Sequence, residues 1–473
     1  MADKLFVGPK ARRLRQERGW TLETASGLLG LSISYLSQIE ANQRPVSARV
    51  LLAMMKTFEV DAGALDADDD QRLIADLREA TAGLNDPSGA LSFPEIKHVA
   101  STAPAFAHRF LELHRAYARL EDRLRQADAA VAVDETAAAS SLLPYEEVRD
   151  FFHYKNNYLH ELDLAAEALS ERMGLGGDAP LEALLESHLR GAMGQSVVRD
   201  GAGDLMRRYD PESRTLTLGA TQPMATRAFQ MAFHIVSAEL GDLIEAELAA
   251  SGLHGDAARD VCRVGLRNYA AGALVLPYRQ FAAAARELRH DVERLARRFQ
   301  SSLEQVCHRL STLQRPGARG VPFYFVRLDH AGNITKRHSA TRFQFARFGG
   351  ACPLWNVHDA IGHPDRFLVQ VAEMPDGVRY LCVARSVVKR SGSFLEPDRR
   401  YVLGFGCELQ YADALVYSEG VDLKGRPARI GISCRICERT DCPQRAFPPV
   451  DRPIWVPAEE RSVVPYRITE APA

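Results

Sequence analysis

The chain has 473 residues, 46% of them hydrophobic, 25% charged and 8% aromatic. At about 150 residues per domain this length corresponds to roughly three domains with ample core, and the composition excludes a disordered, collagen-like or disulfide-scaffold protein. The 59 Lys/Arg and 61 Asp/Glu leave a net charge of −2, which excludes a chain-wide polycation that coats nucleic acid but leaves room for a local basic patch.

That patch lies at the N-terminus, where residues 1–60 carry nine Lys/Arg against five Asp/Glu, a net +4. Within it, Ala11–Glu17 reads as a basic first helix. Thr21 can cap a second helix that runs to Leu29 and is broken by Gly30. Ser32 caps a third, Ile33 to Ala41, across the short turn that a helix-turn-helix needs. Leu14-Arg15, Gly19-Trp20-Thr21, Ser32-Ile33-Ser34-Tyr35-Leu36-Ser37-Gln38-Ile39-Glu40 and Asn42-Gln43-Arg44-Pro45 together resemble the lambda-repressor-like (XRE) DNA-binding domain. By that resemblance the third helix lies in the major groove of operator DNA. Thr21, Ser32, Ser34, Tyr35 and Gln38 are then candidates for base or backbone contacts, and Asn42 and Arg44 for phosphate. Glu40 reads as structural, holding the following loop. One head covers a half-site, so a homodimer or higher even oligomer on a two-fold operator is expected.

The acidic run Asp66-Ala67-Asp68-Asp69-Asp70 opens a linker. Beyond it Phe106, Phe110, Leu113, Tyr117, Leu120 and Leu124 recur at intervals of 4, 3, 4, 3 and 4. That is the seam of a coiled coil or helix pair. It reads either as a helix packed on its own domain or as a dimerisation helix between head and sensor. A second linker spans Val131–Ser141. From Pro144 to about Glu247 the pattern is helical, with a strand-like Leu216-Thr217-Leu218.

Arg227–Ser237 and Arg267–Pro277 resemble the two helices of ImmA/IrrE-type metallopeptidases. In that family the first helix carries His-Glu-x-x-His, two zinc ligands with a general base between them. Here those positions read Phe233, His234 and Ser237, so the resemblance implies a retained fold without the hydrolase. Upstream, Phe151-Phe152-His153-Tyr154-Lys155 and Tyr158, with Arg207-Arg208-Tyr209, join aromatics that can sandwich a base to cations that can take phosphate. By composition alone the reading that prevails is the plainer one, with Phe151, Phe152 and Tyr158 as core and the cations solvated.

After about residue 318 the runs Phe323–Leu328, Phe367–Ala372, Arg379–Val383 and Tyr401–Gly404 read as strands. They are separated by the turns Ala331-Gly332-Asn333 and Pro375-Asp376-Gly377. Cys434-x2-Cys437-x4-Cys442 places three thiols within nine residues, a density suited to a soft metal. Cys352 is the candidate fourth ligand, for zinc or for a four-iron (4Fe-4S) cluster, and His358 could replace it in a Cys3His zinc site. Cys262, Cys307, Cys382 and Cys407 stand singly and read as inert buried thiols.

The combination of head, degenerate peptidase and cysteine pattern resembles, over nearly the full length, the short-chain fatty-acyl-CoA regulators. These are bacterial transcription factors of propionate and acetate metabolism, including regulators of propionyl-CoA carboxylase, the methylcitrate cycle and the glyoxylate shunt. The resemblance implies an acyl-CoA effector in the middle domain, with Phe152, Tyr154, Lys155, Tyr158, Tyr209, Arg227 and Gln230 as candidate contacts. It also implies an iron–sulfur cluster at Cys352, Cys434, Cys437 and Cys442 in at least some members.

The expected architecture is multidomain and mainly α. An all-α head spans 1–66, a linker with a coupling helix 67–136, an α-rich sensor 137–300 and an α+β cysteine domain 301–473. No apolar run approaches the roughly 20 residues of a membrane span, and the N-terminus does not open a signal peptide. A cytoplasmic, non-enzymatic regulator with no membrane partner is expected. The alternatives are a redox or metal sensor without CoA, and a zinc peptidase acting on a repressor.

Overall fold

Cap chemistry sets the first helices. In the computed structural model, α1 (Gly8–Glu17) starts with Pro at its first turn. The Oγ of Thr21 accepts from the N–H of Thr24 at 3.1 Å to start α2 (Leu22–Leu29). Gly30 ends that helix at φ 66°, a conformation glycine adopts without strain. Ser32 caps α3 (Ile33–Glu40) through the N–H of Tyr35, and Ser47 caps α4 (Ala48–Thr57). Ala11, Leu14, Ala25, Leu29, Leu36, Ile39, Val50, Met54 and Phe58 close one small core between them.

The structure describes residues 7–41, 43–58, 60, 68–82, 91–114, 117, 142–176, 179–200, 205–253, 255–343, 345, 351–391, 394–395, 397–449 and 452–468. Asn42, Asp66, Ala67, Leu120, Leu124 and the 131–141 stretch, all singled out above, lie outside the described residues.

The chain divides into two compact units, Met1–Glu135 with Cys434–Ala473, and Thr136–Ser433. In the first, α5 (Asp68–Ala82), α6 (Phe93–Thr102) and α7 (104–114) follow the head. Leu73, Ile74, Leu77 and Ala80 pack on Ile96, Ala100, Ala107 and Leu111. The face of α7 that packs is thus Ala107–Leu111. Of the periodic seam, Phe110 also packs against this core, whereas Phe106, Leu113 and Tyr117 are 68%, 69% and 56% exposed. The C-terminal segment adds a turn at Cys434–Ile436 and a two-stranded antiparallel sheet, β10 (Ile454–Trp455) with β11 (Arg467–Ile468). An Arg78–Glu438 ion pair of 2.5 Å fastens α5 to the cysteine turn.

The second unit opens with α8 (Leu142–Tyr154), α9 (His160–Arg172) and α10 (Leu181–Gly191). A small sheet follows in the order β1 (Ser196–Arg199), β3 (Thr215–Leu218), β2 (Arg207–Asp210). Then come α11 (Met224–Glu239), α12 (Gly241–Ala249), α13 (Asp256–Val275), α14 (Tyr278–Glu287), α15 (Val292–Arg298) and α16 (Leu303–Leu310).

A six-stranded sheet closes the unit in the order β5 (Ile334–Ser339), β4 (Tyr324–Asp329), β8 (Arg399–Glu408), β7 (Arg379–Lys389), β6 (Leu368–Glu373), β9 (Ala428–Arg429). Strand alternation divides its residues between two cores. Phe323, Phe325, Leu381, Val383, Leu403 and Phe405 join the helical core, whereas Tyr324, Val326, Tyr380, Cys382 and Val402 face an aromatic core with Trp355 and Phe343. One apolar core therefore runs from the helices into the sheet across residue 300. The four sequence-read strands, both turns and the Leu216–Leu218 strand are present; β1, β2, β5 and β9 were not legible.

Buried polar residues tie the helices together. Asp163 on α9 accepts from Arg309 Nη1 (2.6 Å), Arg315 Nη2 (2.8 Å) and the Tyr269 hydroxyl (2.8 Å). Glu167, one turn on, accepts from Arg315 Nη1 at 2.7 Å. Two acids against two arginines make this network neutral and fully partnered, as buried charge requires.

Candidate nucleic-acid interface and effector site

In the head, α3 turns Leu36 and Ile39 inward and leaves Ser32, Ser34 and Ser37 exposed, with Tyr35 and Gln38 half-buried. The helix is held from behind by a buried two-point pair, Arg15 Nε to Glu40 Oε1 at 2.7 Å and Nη2 to Oε2 at 2.8 Å. A third Arg15 donor reaches the Trp20 carbonyl at 2.9 Å, so Glu40 is structural and its partner is Arg15. Thr21 and Ser32 spend their hydroxyls on capping yet stand at helix N-termini, where backbone amides favour phosphate. Arg44 lies over the Tyr35 ring at 5.3 Å, which brings its cation to the exposed side of α3. Sequence reasoning missed Ile33, 49% exposed at the start of α3, an apolar side chain of the kind that meets a thymine methyl.

In the second unit the segment likened above to the first peptidase helix is α11. His234 Nε2 lies 2.9 Å from Gln195 Oε1, and its ring is 4.5 Å from that of Tyr209. The Ser237 hydroxyl turns back to the Phe233 carbonyl at 2.6 Å. Arg207 on β2 stacks over Phe233 with its guanidinium carbon 3.9 Å from the ring centroid. Burial pulls the Arg207 pKa down, and the like charge of Arg267 on α13 adds to the effect. Burial and Arg207 likewise lower His234, keeping the ring neutral. Two guanidinium atoms here, Arg207 Nη1 and Arg267 Nε, are buried without a hydrogen-bond partner.

The candidate acyl-CoA contacts divide in two. Phe152 packs against Gly265 of α13, where an added Cβ would come within 2.8 Å of its ring, two residues from Arg267. Tyr209 stands at His234, Gln230 is half-buried on α11, and Tyr154 and Lys155 are exposed at the end of α8. Arg227 is held by Glu182, Nε to Oε1 at 2.9 Å and Nη2 to Oε2 at 3.0 Å. The Tyr158 hydroxyl accepts from Arg315 at 3.0 Å, and burial pushes its pKa up to about 12. Arg227 and Tyr158 are therefore engaged internally, whereas Arg207 Nη1 and Arg267 Nε have no hydrogen-bond partner among the described residues. Arg207 was among the cations that the sequence reading singled out; Arg267 was not, and its only signal was an arginine in a peptidase-like segment without the zinc-ligand pattern.

The cysteines separate as well. Cys262, Cys307, Cys382 and Cys407 are fully buried, and burial raises their thiol pKa values, to about 11 for Cys262 and about 12 for Cys382. Cys352 sits in the aromatic core of the second unit, while Cys434, Cys437 and Cys442 are half-exposed in the first. The loop of these three is braced by buried Arg445, which donates to the carbonyls of Cys434 (2.6 Å), Cys437 (2.9 Å) and Arg439. Among the described residues no three His, Cys, Asp or Glu side chains converge as a metal site. Thiols of this kind and spacing suit a soft metal.

Three families match in chain order. A helix-turn-helix domain covers residues 8–67, an IrrE N-terminal-like domain 200–311, and the short-chain fatty acyl coenzyme A regulator C-terminal domain 312–466. The chain is 49% identical over 472 residues to the propionyl-CoA carboxylase regulator of Cereibacter sphaeroides, covering 99% of this chain and 100% of that protein. It is 43% identical to the HTH-type transcriptional regulator RamB of Mycobacterium tuberculosis (99% of each) and 41% identical to PrpR of the same organism (99% and 96%). A solved structure of a Mycobacterium tuberculosis transcriptional regulator superimposes with TM-score 0.66 at 46% identity. It covers 68% of this chain and 99% of that one.

Proposed function

The chain belongs to the short-chain fatty acyl coenzyme A regulators, and from that premise we propose that it is a DNA-binding transcription factor of propionate or acetate metabolism whose operator affinity is set by a short-chain acyl-CoA. Its relatives carry the names of transcriptional regulators, and we read this protein as a regulator and not an enzyme. The supporting observation is their co-linearity with it from head to cysteine segment. In functional terms we assign DNA reading to 1–66, coupling to 67–136, effector binding to 137–300 and the cysteine function to 301–473.

The head reads operator DNA through Ser32, Ser34, Tyr35 and Gln38, with Thr21, Asn42 and Arg44 on the backbone. An acyl-CoA that binds one conformer better than another shifts the population that can bind DNA, by tenfold for each 1.4 kcal/mol of differential affinity. The second copy that a two-fold operator requires docks along the exposed Phe106, Leu113 and Tyr117 stripe of α7.

Selection of genomic fragments on the full-length protein, with and without propionyl-CoA at fixed salt, tests this. A two-fold symmetric site whose affinity changes at least several-fold with propionyl-, acetyl- or butyryl-CoA is expected. Unchanged affinity with all three refutes the effector assignment. Leu113→Glu should convert a dimer to monomer in sedimentation; an unaltered dimer removes α7 from the interface.

A second reading is favoured by the braced C-x2-C-x4-C loop. In it, the cysteine segment takes zinc or an iron–sulfur cluster and adds metal or redox control. Metal analysis of anaerobically purified protein, with Cys437→Ser as control, decides it. Stoichiometric metal lost in the variant supports this reading, and metal-free protein removes it.

A further inference from the structure

We propose that the β7–β8 hairpin is a second DNA-binding element: a ribbon of the second unit that lies against a groove of duplex DNA, with its arginines on phosphate and Phe394 at the bases. The sheet itself builds this arm. β6 pairs with β7 only as far as Leu368 opposite Ala384, and β4 with β8 only as far as Asp329 opposite Tyr401. Beyond those points the pairs Val388–Arg400 and Lys389–Arg399 belong to two strands alone. A two-stranded ribbon of this kind is one of the shapes that enter a DNA groove.

Charge singles the arm out. From Val387 to Tyr401 the sequence carries Lys389, Arg390, Arg399 and Arg400 against Glu396 and Asp398, 4 − 2 = +2, in a chain whose net charge is −2. Asp398 is spent inside the turn, where it accepts from the Ser391 N–H at 2.9 Å and from Arg390 Nη1 at 2.8 Å. At the root of the arm three cations converge on one carboxylate. Glu304 takes Arg327 Nη1 at 2.8 Å, Lys389 Nζ at 2.9 Å and Lys336 Nζ at 3.6 Å. Tyr401 gives Arg327 and Lys389 only the face of its ring. Asp329, farther along β4, spends its carboxylate on the Ala331–Asn333 turn.

The surplus is extended. Arg327 stands opposite Leu403 and Lys389 opposite Arg399, so the cations run along four residues of β8, about 13 Å, longer than a single phosphate. Arg400 is exposed on the other face of the ribbon. A row of phosphates on a backbone matches such a stripe, and a small anion does not. At the tip Phe394 and Leu395 are 101% and 89% exposed, and apolar side chains so placed act as wedges between base steps. An anionic membrane would offer charge and apolar depth as well. The helix-turn-helix head brings duplex DNA to this chain, which favours DNA as the occupant.

Binding of the full-length protein to the selected operator fragment and to duplex of arbitrary sequence, over a range of salt, tests it, because phosphate contacts carry no sequence information. Arg399→Gln with Arg400→Gln is expected to weaken both by roughly tenfold or more. It should also flatten the slope of log affinity against log salt by about 2, since each phosphate contact supplies about 0.9. Phe394→Ser should weaken binding several-fold and leave the slope. Lys424→Gln with Arg426→Gln removes the same charge from exposed positions before β9 and should change neither. All these variants should melt with the wild type, because every side chain replaced is exposed.

Wild-type affinity and slope in both arm variants would overturn the arm while the head's role stands. Equal losses in the control pair would reduce the effect to net charge and overturn it too. If the arm variants keep DNA but lose vesicles of phosphatidylcholine with phosphatidylglycerol that the wild type binds, the arm belongs to a membrane surface and the DNA assignment falls. Binding of neither duplex by the wild type would overturn arm and head together.

Discussion

Glu40→Ala tests the assignment of a conspicuous acid on the recognition helix to support and not to DNA. The substitution removes both charge-assisted bonds from Arg15, at 2.7 and 2.8 Å, in a pair whose side chains are 11% and 6% exposed. Deleting one member of a buried pair costs about 3–5 kcal/mol, because the other charge stays buried. At about 0.05–0.15 kcal/mol per residue, a head of some sixty residues is stabilised by about 3–9 kcal/mol. The loss thus brings the head close to unfolding, and the remaining bond from Arg15 to the Trp20 carbonyl does not neutralise the guanidinium. Hydrogen exchange on the full chain should show protection lost through α1 and α3, and operator binding should fall with it. Combining Arg15→Met with Glu40→Leu should restore most of both, since apolar replacement of a buried pair is often neutral. Wild-type protection in Glu40→Ala with operator binding lost would mean that Glu40 touches DNA, and the structural assignment would be wrong.

Asp163→Asn strands Arg309 and leaves Arg315 with Glu167 alone, and the second unit should lose about 3–5 kcal/mol, read as a lower calorimetric melting temperature; an unchanged melt would refute the network's role. Burial would raise the Asp163 pKa, but Arg309 and Arg315 hold it below the ordinary value, so its contribution is present above about pH 3.9 and lost in stronger acid. His338 behaves in the same direction for a different reason. Burial pulls its pKa down to about 3, with Lys336, Arg149 and His153 adding to it, and its Nδ1 meets Asn157 Oδ1 at 3.1 Å. It is neutral when folded and protonated when unfolded below about pH 6.5, so stability should fall as pH drops from 6.5 towards 3. His338→Gln should reduce the slope of stability against pH in that window by up to about 1.4 kcal/mol per unit; an identical slope sinks the assignment. At Gly406 an added Cβ would stand 2.2 Å from the Leu381 carbonyl, backbone that a sheet cannot yield. At Gly265 it would stand 2.8 Å from the tip of Phe152. Gly406→Ala should fail to give folded protein, while Gly265→Ala should fold and alter acyl-CoA affinity; equal tolerance at both sites would contradict the packing described.

What could be read from the chain was local. Thr21, Ser32 and Gly30 mark helix ends because capping and positive φ act within one turn, and the helices of the head follow. The strands β4, β6 and β7 were legible because their apolar runs are bounded by Gly332 or Gly377 at positive φ, and β8 by its own apolar run. Strand β5, Ile-Thr-Lys-Arg-His-Ser, was not. It lies at the sheet edge and its membership comes from pairing with β4, a contact its own composition does not encode. Arg78 and Glu438 are equally illegible as partners, 360 positions apart, although together they tie the cysteine turn to the helix after the head.

The apolar seam of α7 and the arginine pair carry the same lesson from opposite sides. Periodicity correctly identified α7 as a helix, but only Phe110 of the seam joins Ala107 and Leu111 in packing inside the unit, while Phe106, Leu113 and Tyr117 stay outside. Large side chains give the periodic signal whether they are buried within one chain or kept for another, so the signal cannot tell a core from an interface. Charge behaves likewise. Arg227 was singled out as a ligand contact and is held by Glu182, whereas Arg207, read only as one of several cations able to take phosphate, and Arg267, not singled out, each keep a buried guanidinium nitrogen without a hydrogen-bond partner among the described residues. A cation is free for a ligand only when the fold has left it unpaired, and pairing is decided by residues far away in sequence.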